Sequence, residues 1–491
     1  MRAHLLIALS LASFSVGSVG CGGEDDPPVG TTTDTGVDTG GDTSVDSGSV
    51  VDTGEADSGA ADSGAADSGT TDTSKADTGM AETIDPLDGF TAVEWTEIKK
   101  LGPLPAVPKD TTNAYADNAK AAALGQMLFF DKSYSGALAV ADDGTNGGLG
   151  AIGDTGKVSC ASCHEGVTMD DNRSKPNNVS LGTDFGTRNA PSIVNSSFYA
   201  WTNWGGRFDS QWSLPTAVAE NAKIMNSHRM TIARMLYAKY RTEYDAIFPV
   251  PLDARLDPTN AMAWGAGKAG YDAITDAAEK AIINRIYANY GKALAAYMRL
   301  LVSRDAPFDK YVAGKPDAIG ADAKRGLKIF LGKGACISCH TGANFADDKF
   351  HALAVPQTGP KVPAADLGRF TDVTPLLASI YNTNGDYSDD KLTGKLTGLV
   401  ADASMKGQFR TKSLRGVADS ASYMHSGQQA TLDDVIAYYG KGGDAPPTDV
   451  TKDPLIKSFT LEGTDKADLV AFLKTLSGAP VSAALRTSTA K

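Results

Sequence analysis

The chain has 491 residues, with 46 Lys and Arg residues against 59 Asp and Glu residues, and a formal net charge of −13. Residues 22–80 contain 14 of the acidic side chains and one lysine, so the rest of the chain is neutral, with 45 charges of each sign. A neutral body with an acidic tail argues against nucleic acid as a partner, because phosphates are bound by clustered Lys and Arg. The roughly 400 residues after residue 90 are enough for a large core and two or three domains.

The N-terminus has the pattern of a secretory signal peptide. Arg2 is followed by an apolar run, residues 5–16, that is too short to span a bilayer. A buried core helix is the alternative for such a run, but its position at the extreme N-terminus favours export. Ser18-Val-Gly-Cys21 resembles a bacterial lipoprotein cleavage site, so we predict a signal peptide at 1–20 and a lipid on Cys21. The alternative is ordinary cleavage that leaves Cys21 as an odd thiol.

Residues 21–90 form an acidic segment rich in Asp, Thr, Ser and Gly. Asp-Thr or Asp-Ser pairs recur every four to six residues, and no aromatic residue occurs between Gly22 and Gly89. Such a segment cannot bury enough apolar surface to offset its ordering entropy, so we predict a disordered linker with an end-to-end distance of roughly 45 Å. Calcium-binding acidic repeats are the alternative, but the spacing drifts. The protein is therefore expected in the cell envelope, either periplasmic or anchored to the outer membrane, and in contact with the membrane only through its N-terminal lipid.

The body of the chain predicts helices and few strands. Apolar spacing indicates a helix at 122–128, a loop at 249–270, and a long amphipathic helix at 281–304 that is expected to pack two halves of the protein together. A further helix is predicted at 327–330, and a C-terminal helix is predicted to begin at Thr464 and stop by Gly478. Strand-like alternation is scarce, so the fold class is mainly α.

All four cysteines of the body lie in two Cys-x-x-Cys-His motifs. These are Cys160-Ala-Ser-Cys163-His164 and Cys336-Ile-Ser-Cys339-His340. Two thiols at this spacing reach the two vinyl groups of one haem, and the adjacent imidazole is presented to its iron. A thioredoxin-like pair does not require the histidine, and one zinc cluster would leave surplus ligands. We therefore predict two covalent haem c groups, with His164 and His340 as proximal iron ligands.

Several stretches around the motifs resemble the bacterial di-haem cytochrome c peroxidase and MauG family, from about Leu124 to Gly478. They are Leu124-Gly-Gln-Met-Leu-Phe-Phe-Asp131, Thr187-Arg-Asn-Ala-Pro191, Trp204-Gly-Gly-Arg207, Phe409-Arg-Thr-Lys-Ser-Leu-Arg415, Tyr423-Met-His-Ser-Gly427 and Ala467-Asp-Leu-Val-Ala-Phe-Leu473. The resemblance implies two cytochrome c-like domains, here 91–315 with the peroxidatic haem and 316–483 with the electron-transfer haem. It also implies a calcium ion and a tryptophan between the haems.

The resemblance assigns Tyr439 as the second axial ligand of the second haem. In the family this position, fourteen residues beyond His425, is methionine in peroxidases and tyrosine in MauG-like proteins. Thr431-Leu-Asp-Asp434 has the pattern of a capping box that opens a helix with Tyr439 on one face. A tyrosine on such a face is usually a core residue, and the neighbouring Tyr438 is the residue that could be confused with it.

The first haem is expected to be open on its distal side. Family peroxidases that need reductive activation place a histidine some fifteen residues after the first motif, whereas here no histidine occurs between His164 and His228. The corresponding region is 177–183. Met169 or a loop residue remains the alternative ligand.

The resemblance also implies roles for residues between the haems. Trp204 matches the inter-haem tryptophan, and Asn189 matches the calcium-binding asparagine. The two carbonyl ligands of calcium fall on Ser420 and Ser422, and backbone ligation tolerates a change of side chain. The alternative for Trp204 is a plain packing aromatic.

One departure from the family concerns proton transfer. The glutamine and glutamate that family enzymes place ten and twenty residues after the tryptophan are Leu214 and Ile224 here. Breaking the peroxide bond needs a proton carrier within hydrogen-bond reach of the bound oxygen. Glu220 is the predicted catalytic substitute beside Trp204, with Asp209 as a second candidate, and an exposed surface role is the alternative for both.

The predicted function is an exported di-haem oxidoreductase that reduces hydrogen peroxide at the first haem. The electrons would pass through the second haem from a small electron-donor protein or an oxidised protein substrate. The competing hypothesis is a non-catalytic di-haem cytochrome that transfers electrons, and the missing glutamate supports it.

Overall fold

The computed structural model describes residues 88–141, 148–171, 173, 176 and 178–491. The predicted signal peptide, Cys21 and nearly all of the predicted linker lie outside the described residues. In the described part the chain is mainly helical, as predicted, and its sheet content is a single two-stranded ribbon. No helix in these ranges combines the length and the apolarity that crossing a bilayer would take.

The helices of the described ranges are joined by long loops and short 3₁₀ turns. They are α1 (Ala92–Lys100), α2 (Ala119–Phe130), α3 (Ser213–Glu220), α4 (Arg229–Asp245), α5 (Gly267–Asp272), α6 (Ala277–Met298), α7 (Pro307–Val312), α8 (Ala321–Leu331), α9 (Arg369–Ala378), α10 (Leu432–Gly440) and α11 (Asp465–Lys474). Strands β1 (Phe350–Ala352) and β2 (Gln408–Arg410) pair antiparallel, with His351 opposite Phe409. The 3₁₀ turns Cys160–Ser162 and Cys336–Ser338 carry the two cysteine motifs.

The first hydrophobic core is built around α6. The predicted helix at 122–128 is confirmed as α2, which crosses α6 so closely that a Cβ on Gly125 would lie 2.0 Å from the carbonyl oxygen of Ala293. From Ile286 to Met298 every residue of α6 is buried, because α2, α3 and α4 pack around it. The helix predicted at 281–304 therefore lies within the first core, rather than serving mainly as the link between the halves, and it ends at Met298.

The second core is built on the crossing of α8 and α11. The predicted helix at 327–330 is confirmed within α8, where a Cβ on Gly326 would lie 2.0 Å from the carbonyl oxygen of Asp468. Helix α11 begins after Thr464 as predicted but ends at Lys474, four residues before Gly478. Helices α1 and α7 precede the predicted domain boundary at 315/316, yet they contribute Ile98 and Phe308 to this second core.

The segment predicted as a loop at 249–270 is largely irregular. It contains one 3₁₀ turn, Ala254–Leu256, and the start of α5 at Gly267. Asp253 caps the turn by accepting a hydrogen bond from the backbone N–H of Arg255 at 2.9 Å. Regular structure in this segment is therefore limited to these two short elements.

Candidate functional site

The two Cys-x-x-Cys-His motifs hold their histidines in the same way. The ring Nδ1 of His164 lies 3.1 Å from the carbonyl oxygen of Met169, and that of His340 lies 3.0 Å from the carbonyl oxygen of Phe345. Each acceptor stands five residues after its histidine and has a positive φ, 48° for Met169 and 50° for Phe345. Because a carbonyl oxygen only accepts, Nδ1 carries the proton and Nε2 keeps its lone pair for a metal.

Burial sets the protonation state of both motifs. It lowers the pKa of His164 to about 4 and also lowers the pKa of His340, so both imidazoles are neutral at ordinary pH. Burial raises the pKa of Cys160 to about 12 and that of Cys163 still further. The four motif cysteines are free thiols. Neutral imidazoles and unpaired thiols are the groups that attachment of haem c requires.

The first motif lies against the loop of Leu181, which in turn contacts the loop of Ile224, one of the two positions expected to carry the acid–base groups. The Sγ of Cys163 lies 3.6 Å from the carbonyl oxygen of Leu181, and the backbone N–H of Thr183 donates to the carbonyl of Ile224 at 3.0 Å. The side chain of Ile224 faces Gly186, whose Cβ would lie 3.4 Å from its Cδ1. Ile224 therefore packs on the loop that borders the first haem motif. Met169 is tied to the ring of His164 through its carbonyl, which does not support it as the opposite ligand.

The second motif opens into a cavity of about 270 Å³. Cys336, Cys339, His340 and Tyr439 all line it. Its residues come from distant parts of the chain, and none of the local patterns in the sequence predicts that they meet.

The structure separates the two candidate tyrosines of α10. The hydroxyl of Tyr438 donates to the carbonyl oxygen of Leu353 at 2.8 Å, so this residue belongs to the packing of the fold. Tyr439 lines the cavity, and burial raises its pKa. The predicted capping box is confirmed, with Asp434 N–H to Thr431 Oγ1 at 3.1 Å and Thr431 N–H to Asp434 Oδ2 at 3.0 Å.

Trp204 lies in the wall of the same cavity and is held from several sides. Its indole N–H donates to the carbonyl oxygen of Asn189 at 2.7 Å. The ring of His425, which stacks on Phe409 at 3.8 Å, approaches Trp204 at 6.3 Å. The ammonium of Lys412 lies 4.8 Å from the indole centroid. These contacts fix the indole beside the residue predicted to bind calcium, in the wall of the cavity that the second haem motif also lines.

The three residues predicted to bind calcium also line this cavity. The side chain of Asn189 accepts from Ser180 Oγ at 3.3 Å and donates to Ser422 Oγ at 3.2 Å. Asn189 and the carbonyls of Ser420 and Ser422 form a set of neutral oxygen donors, which is the type of ligand that calcium prefers. Asp170 is a carboxyl group in the same cavity that the sequence analysis did not single out. Burial, Asp171 and Glu165 raise its pKa to about 6.

The structure does not bring Glu220 to this cavity or to the motifs. Both of its carboxylate oxygens accept hydrogen bonds from the guanidinium of Arg229 at 2.8 Å, and it lines a different cavity together with His228. Asp209, the second candidate, is buried, and its Oδ2 accepts from the backbone N–H and the hydroxyl of Thr383. The geometry therefore gives no support to Glu220 as the proton carrier.

Some residues near the motifs were missed by sequence reasoning. His351 is buried, with Nδ1 2.7 Å from Asp453 and Nε2 2.9 Å from Asp347, and it lines the second cavity. The signal was present in the spacing, because Asp347 stands seven residues after His340, as Asp171 does after His164. An alignment of the two halves on their motifs would have found both carboxylates.

Free thiols and imidazoles with an available Nε2 are the groups that fit haem c. A haem bound at each motif supplies a redox-active iron, and the protein supplies its ligands and surroundings.

Comparisons with known proteins agree with this geometry. Residues 119–317 match the family model described as di-haem cytochrome c peroxidase. A cytochrome-c peroxidase, IdrP1, of Denitromonas iodatirespirans is 31% identical over 380 residues, which cover 77% of this chain and 86% of that protein. The methylamine utilization protein MauG of Methylorubrum extorquens is 30% identical over 74% of this chain and 80% of its own length.

Among solved structures, a MauG-like protein associated with microbial copper homeostasis is similar in fold. The two share a TM-score of 0.53 and 24% identity over 79% of this chain and 97% of that one. At this identity the likeness bears on the fold alone. From the sequence relatives, this chain belongs to the di-haem cytochrome c peroxidase and MauG family and is a di-haem peroxidase-type enzyme with two haem c cofactors.

Proposed function

We propose that this protein is an exported, lipid-anchored oxidoreductase of the cell envelope that reduces hydrogen peroxide at the haem attached to Cys160 and Cys163. The first motif lies beside loops that carry no histidine in the described part of 165–227, which supports a distal side open to peroxide. The electrons come from a small donor protein or from a protein substrate, in keeping with relatives named as cytochrome-c peroxidase and MauG.

The observation that carries this proposal is the single cavity next to the second motif. It gathers His340, Tyr439, Trp204 and Asn189, which lie up to 250 residues apart in sequence. Tyr439 and His340 are the axial ligands of the second haem in this proposal. Trp204 passes electrons between the two haem sites, and a calcium ion on Asn189 fixes the carbonyl that holds the indole. A phenolate ligand favours a lower reduction potential than a thioether does.

Proton delivery is where this chain departs from its relatives. A carboxylate at position 224 would face the loop that borders Cys163, whereas Ile224 offers no proton. The carboxylate of Glu220 is engaged by Arg229. Proton transfer in the native protein therefore relies on water or on a group outside these two positions, and we expect slow peroxide cleavage.

The test is stopped-flow absorption of the as-isolated diferric protein mixed with one equivalent of hydrogen peroxide. The same measurement is made on Ile224→Glu and on the matched control Ile224→Gln. Glutamine has the shape of glutamate but no ionisable proton. We expect the Soret band to shift in the native protein without prior reduction. We expect a faster shift in Ile224→Glu, by about 10²-fold or more if a carboxyl acts as general acid, and no acceleration in Ile224→Gln.

The opposite outcome would support the alternative function. If only Ile224→Glu reacts, the native protein retains the fold and haem sites of a peroxidase but works as an electron-transfer cytochrome. The observation that favours this alternative is the pair of apolar residues, Leu214 and Ile224, at the positions of the family's glutamine and glutamate.

A further inference from the structure

Five tyrosines form an unbroken series through the first core. The ring centroids of Tyr134 and Tyr290 are 5.8 Å apart, those of Tyr290 and Tyr287 are 5.6 Å apart and stacked, and those of Tyr287 and Tyr381 are 5.6 Å apart. Tyr387 follows Tyr381 at 5.4 Å. We call these five residues the tyrosine chain. Each ring contacts the next, so no step exceeds the distance of an aromatic pair in van der Waals contact.

The inner end of the tyrosine chain lies at the first haem motif. Ser135, the residue after Tyr134, accepts hydrogen bonds from the backbone N–H groups of Lys157 and Val158 at 3.0 Å, just before Cys160. Burial raises the pKa of Cys160, and a hydrogen bond with the Tyr134 hydroxyl opposes that effect. The Tyr134 hydroxyl also lies 3.2 Å from that of Tyr290. Cys160 is the residue that would carry a thioether bond to the haem, so the first phenol of the chain lies next to a residue that would hold this cofactor.

The outer end of the tyrosine chain reaches solvent. Tyr134, Tyr290, Tyr287 and Tyr381 are each at most 5% exposed. Tyr387 is partly exposed, and its neighbour Asp386 has a side chain that is 91% exposed. The series therefore connects a buried haem site to the surface, and it does so without Trp204.

Tyrosine in place of phenylalanine at these positions requires a hydrogen-bond partner for each buried hydroxyl. Burying a hydroxyl costs roughly 1–3 kcal/mol unless it is hydrogen-bonded, and a phenylalanine would fill the same space. The second core has four packed rings that need no such partner, because they are phenylalanines: Phe308, Phe330, Phe345 and Phe472. Phenol is far easier to oxidise than benzene, so the five tyrosines of the first core are far more readily oxidised than these four phenylalanines.

Each buried hydroxyl in the chain has a hydrogen-bond partner, and for Tyr290 this is the hydroxyl of Tyr134. Tyr134 donates to the carbonyl of Leu128 at 2.8 Å, Tyr287 donates to a backbone carbonyl in α3, and Tyr381 donates to Asn284 Oδ1 at 3.3 Å. A phenol that loses an electron can shift its proton along such a bond and recover it when the electron is replaced. Tyr387 is the partly exposed member of the five, which gives its proton the shortest route to solvent.

We propose that the tyrosine chain is a second electron path, which carries electrons one at a time from Tyr387 at the surface to the first haem site when hydrogen peroxide has oxidised it. This inference rests on the proposed function. Reduction of one peroxide to two waters takes two electrons and two protons. Tyr387 supplies one electron and releases its phenolic proton to solvent, which leaves a neutral tyrosyl radical at the surface. The second electron comes through Trp204. The radical at Tyr387 is then reduced by an electron-rich phenol or indole of a partner protein, which loses an electron and a proton.

The experiment locates the radical in the haem-loaded protein. The protein is mixed with hydrogen peroxide and the spin trap 2-methyl-2-nitrosopropane, and the trapped residue is identified by mass spectrometry of peptides, while the Soret band is followed in the same sample. We expect an adduct on Tyr387. Tyr290→Phe and Tyr381→Phe interrupt the chain at two different places, so each should reduce the adduct to the background of Tyr387→Phe.

Tyr297→Phe is the matched control. Tyr297 lies on the same helix as Tyr290, is fully buried and also lies near Cys160, but its ring contact is with Phe129. This variant should keep the adduct on Tyr387. The proposal is overturned if the Soret band responds but Tyr387 is not labelled, or if labelling persists in both interrupting variants. If peroxide leaves the Soret band unchanged, the proposed function fails. The labelling is then repeated with peracetic acid as the oxidant, and absence of an adduct there refutes the tyrosine chain as well.

Discussion

The close crossing of α8 and α11 gives a prediction for the stability of Gly326→Ala. Two opposing effects decide whether the substitution stabilises or destabilises the protein. In a helix interior, alanine is favoured over glycine by about 1 kcal/mol. At Gly326, however, an added Cβ would lie 2.0 Å from the carbonyl oxygen of Asp468 and 2.9 Å from the Cβ of Phe472. Overpacking of a core costs about 1–3 kcal/mol, and the upper end applies because the obstacle is backbone that cannot rotate away. We expect Gly326→Ala to destabilise the protein by about 2 kcal/mol.

The assay is thermal unfolding of the haem-loaded protein followed by circular dichroism. A loss of 2 kcal/mol corresponds to a fall in Tm of about 4 °C for a domain of this size. Gly125→Ala should behave alike, because its Cβ would lie 2.0 Å from the carbonyl oxygen of Ala293. Lys328→Ala, at an exposed position of α8, is the control and should change the stability by about 0.5 kcal/mol or less. If Gly326→Ala unfolds at the same or a higher temperature than the parent, helix propensity outweighs the clash and the helices do not cross this closely.

Three further predictions concern the sites. Tyr439→Met should raise the reduction potential of the second haem in a spectroelectrochemical titration, because a thioether replaces a phenolate. Tyr438→Phe is the control and should leave the potential unchanged. Equal potentials in the parent and both variants would exclude Tyr439 as a ligand. The pKa of His351 is raised to about 10 by the Cys339 thiol, Asp453 and Asp347. The protonated ring therefore stabilises the folded protein fully below the unfolded pKa of about 6.5, and this stabilisation is lost as the pH rises through about 10. In the haem-loaded protein the thioether removes the first of these causes, so the pKa of His351 lies below that value and is raised by the two carboxylates alone. The Tm difference between the parent and His351→Gln should therefore shrink as the pH rises above about 7, and a constant difference would contradict the ion pairs. Removing calcium with EGTA should lower the Tm of the parent but not that of Asn189→Ala, and an equal response of the two would argue against calcium at this asparagine.

Local patterns in the sequence were enough for the parts of this protein that depend on neighbours along the chain. The capping box from Thr431 to Asp434 and the apolar spacing before each motif predicted α10, α2 and α8, because the bonds involved join residues three or four positions apart. The two Cys-x-x-Cys-His motifs likewise predicted haem attachment, since one haem is held by residues within a span of five.

Tertiary structure decided what those local patterns left open. Tyr438 and Tyr439 are adjacent in sequence. The packing of α10 directs Tyr438 to the carbonyl of Leu353 and leaves Tyr439 to line the cavity. Glu220 was a candidate proton carrier from its place in the sequence, but in the fold its carboxylate is bound by Arg229. The tyrosine chain joins a loop after α2, two turns of α6 and the loop after α9, and no spacing in the sequence relates these segments. The residues of a motif are brought together by the local geometry of the chain, whereas the contacts that decide which side chains face a haem site form only when distant segments bury their apolar surfaces against each other.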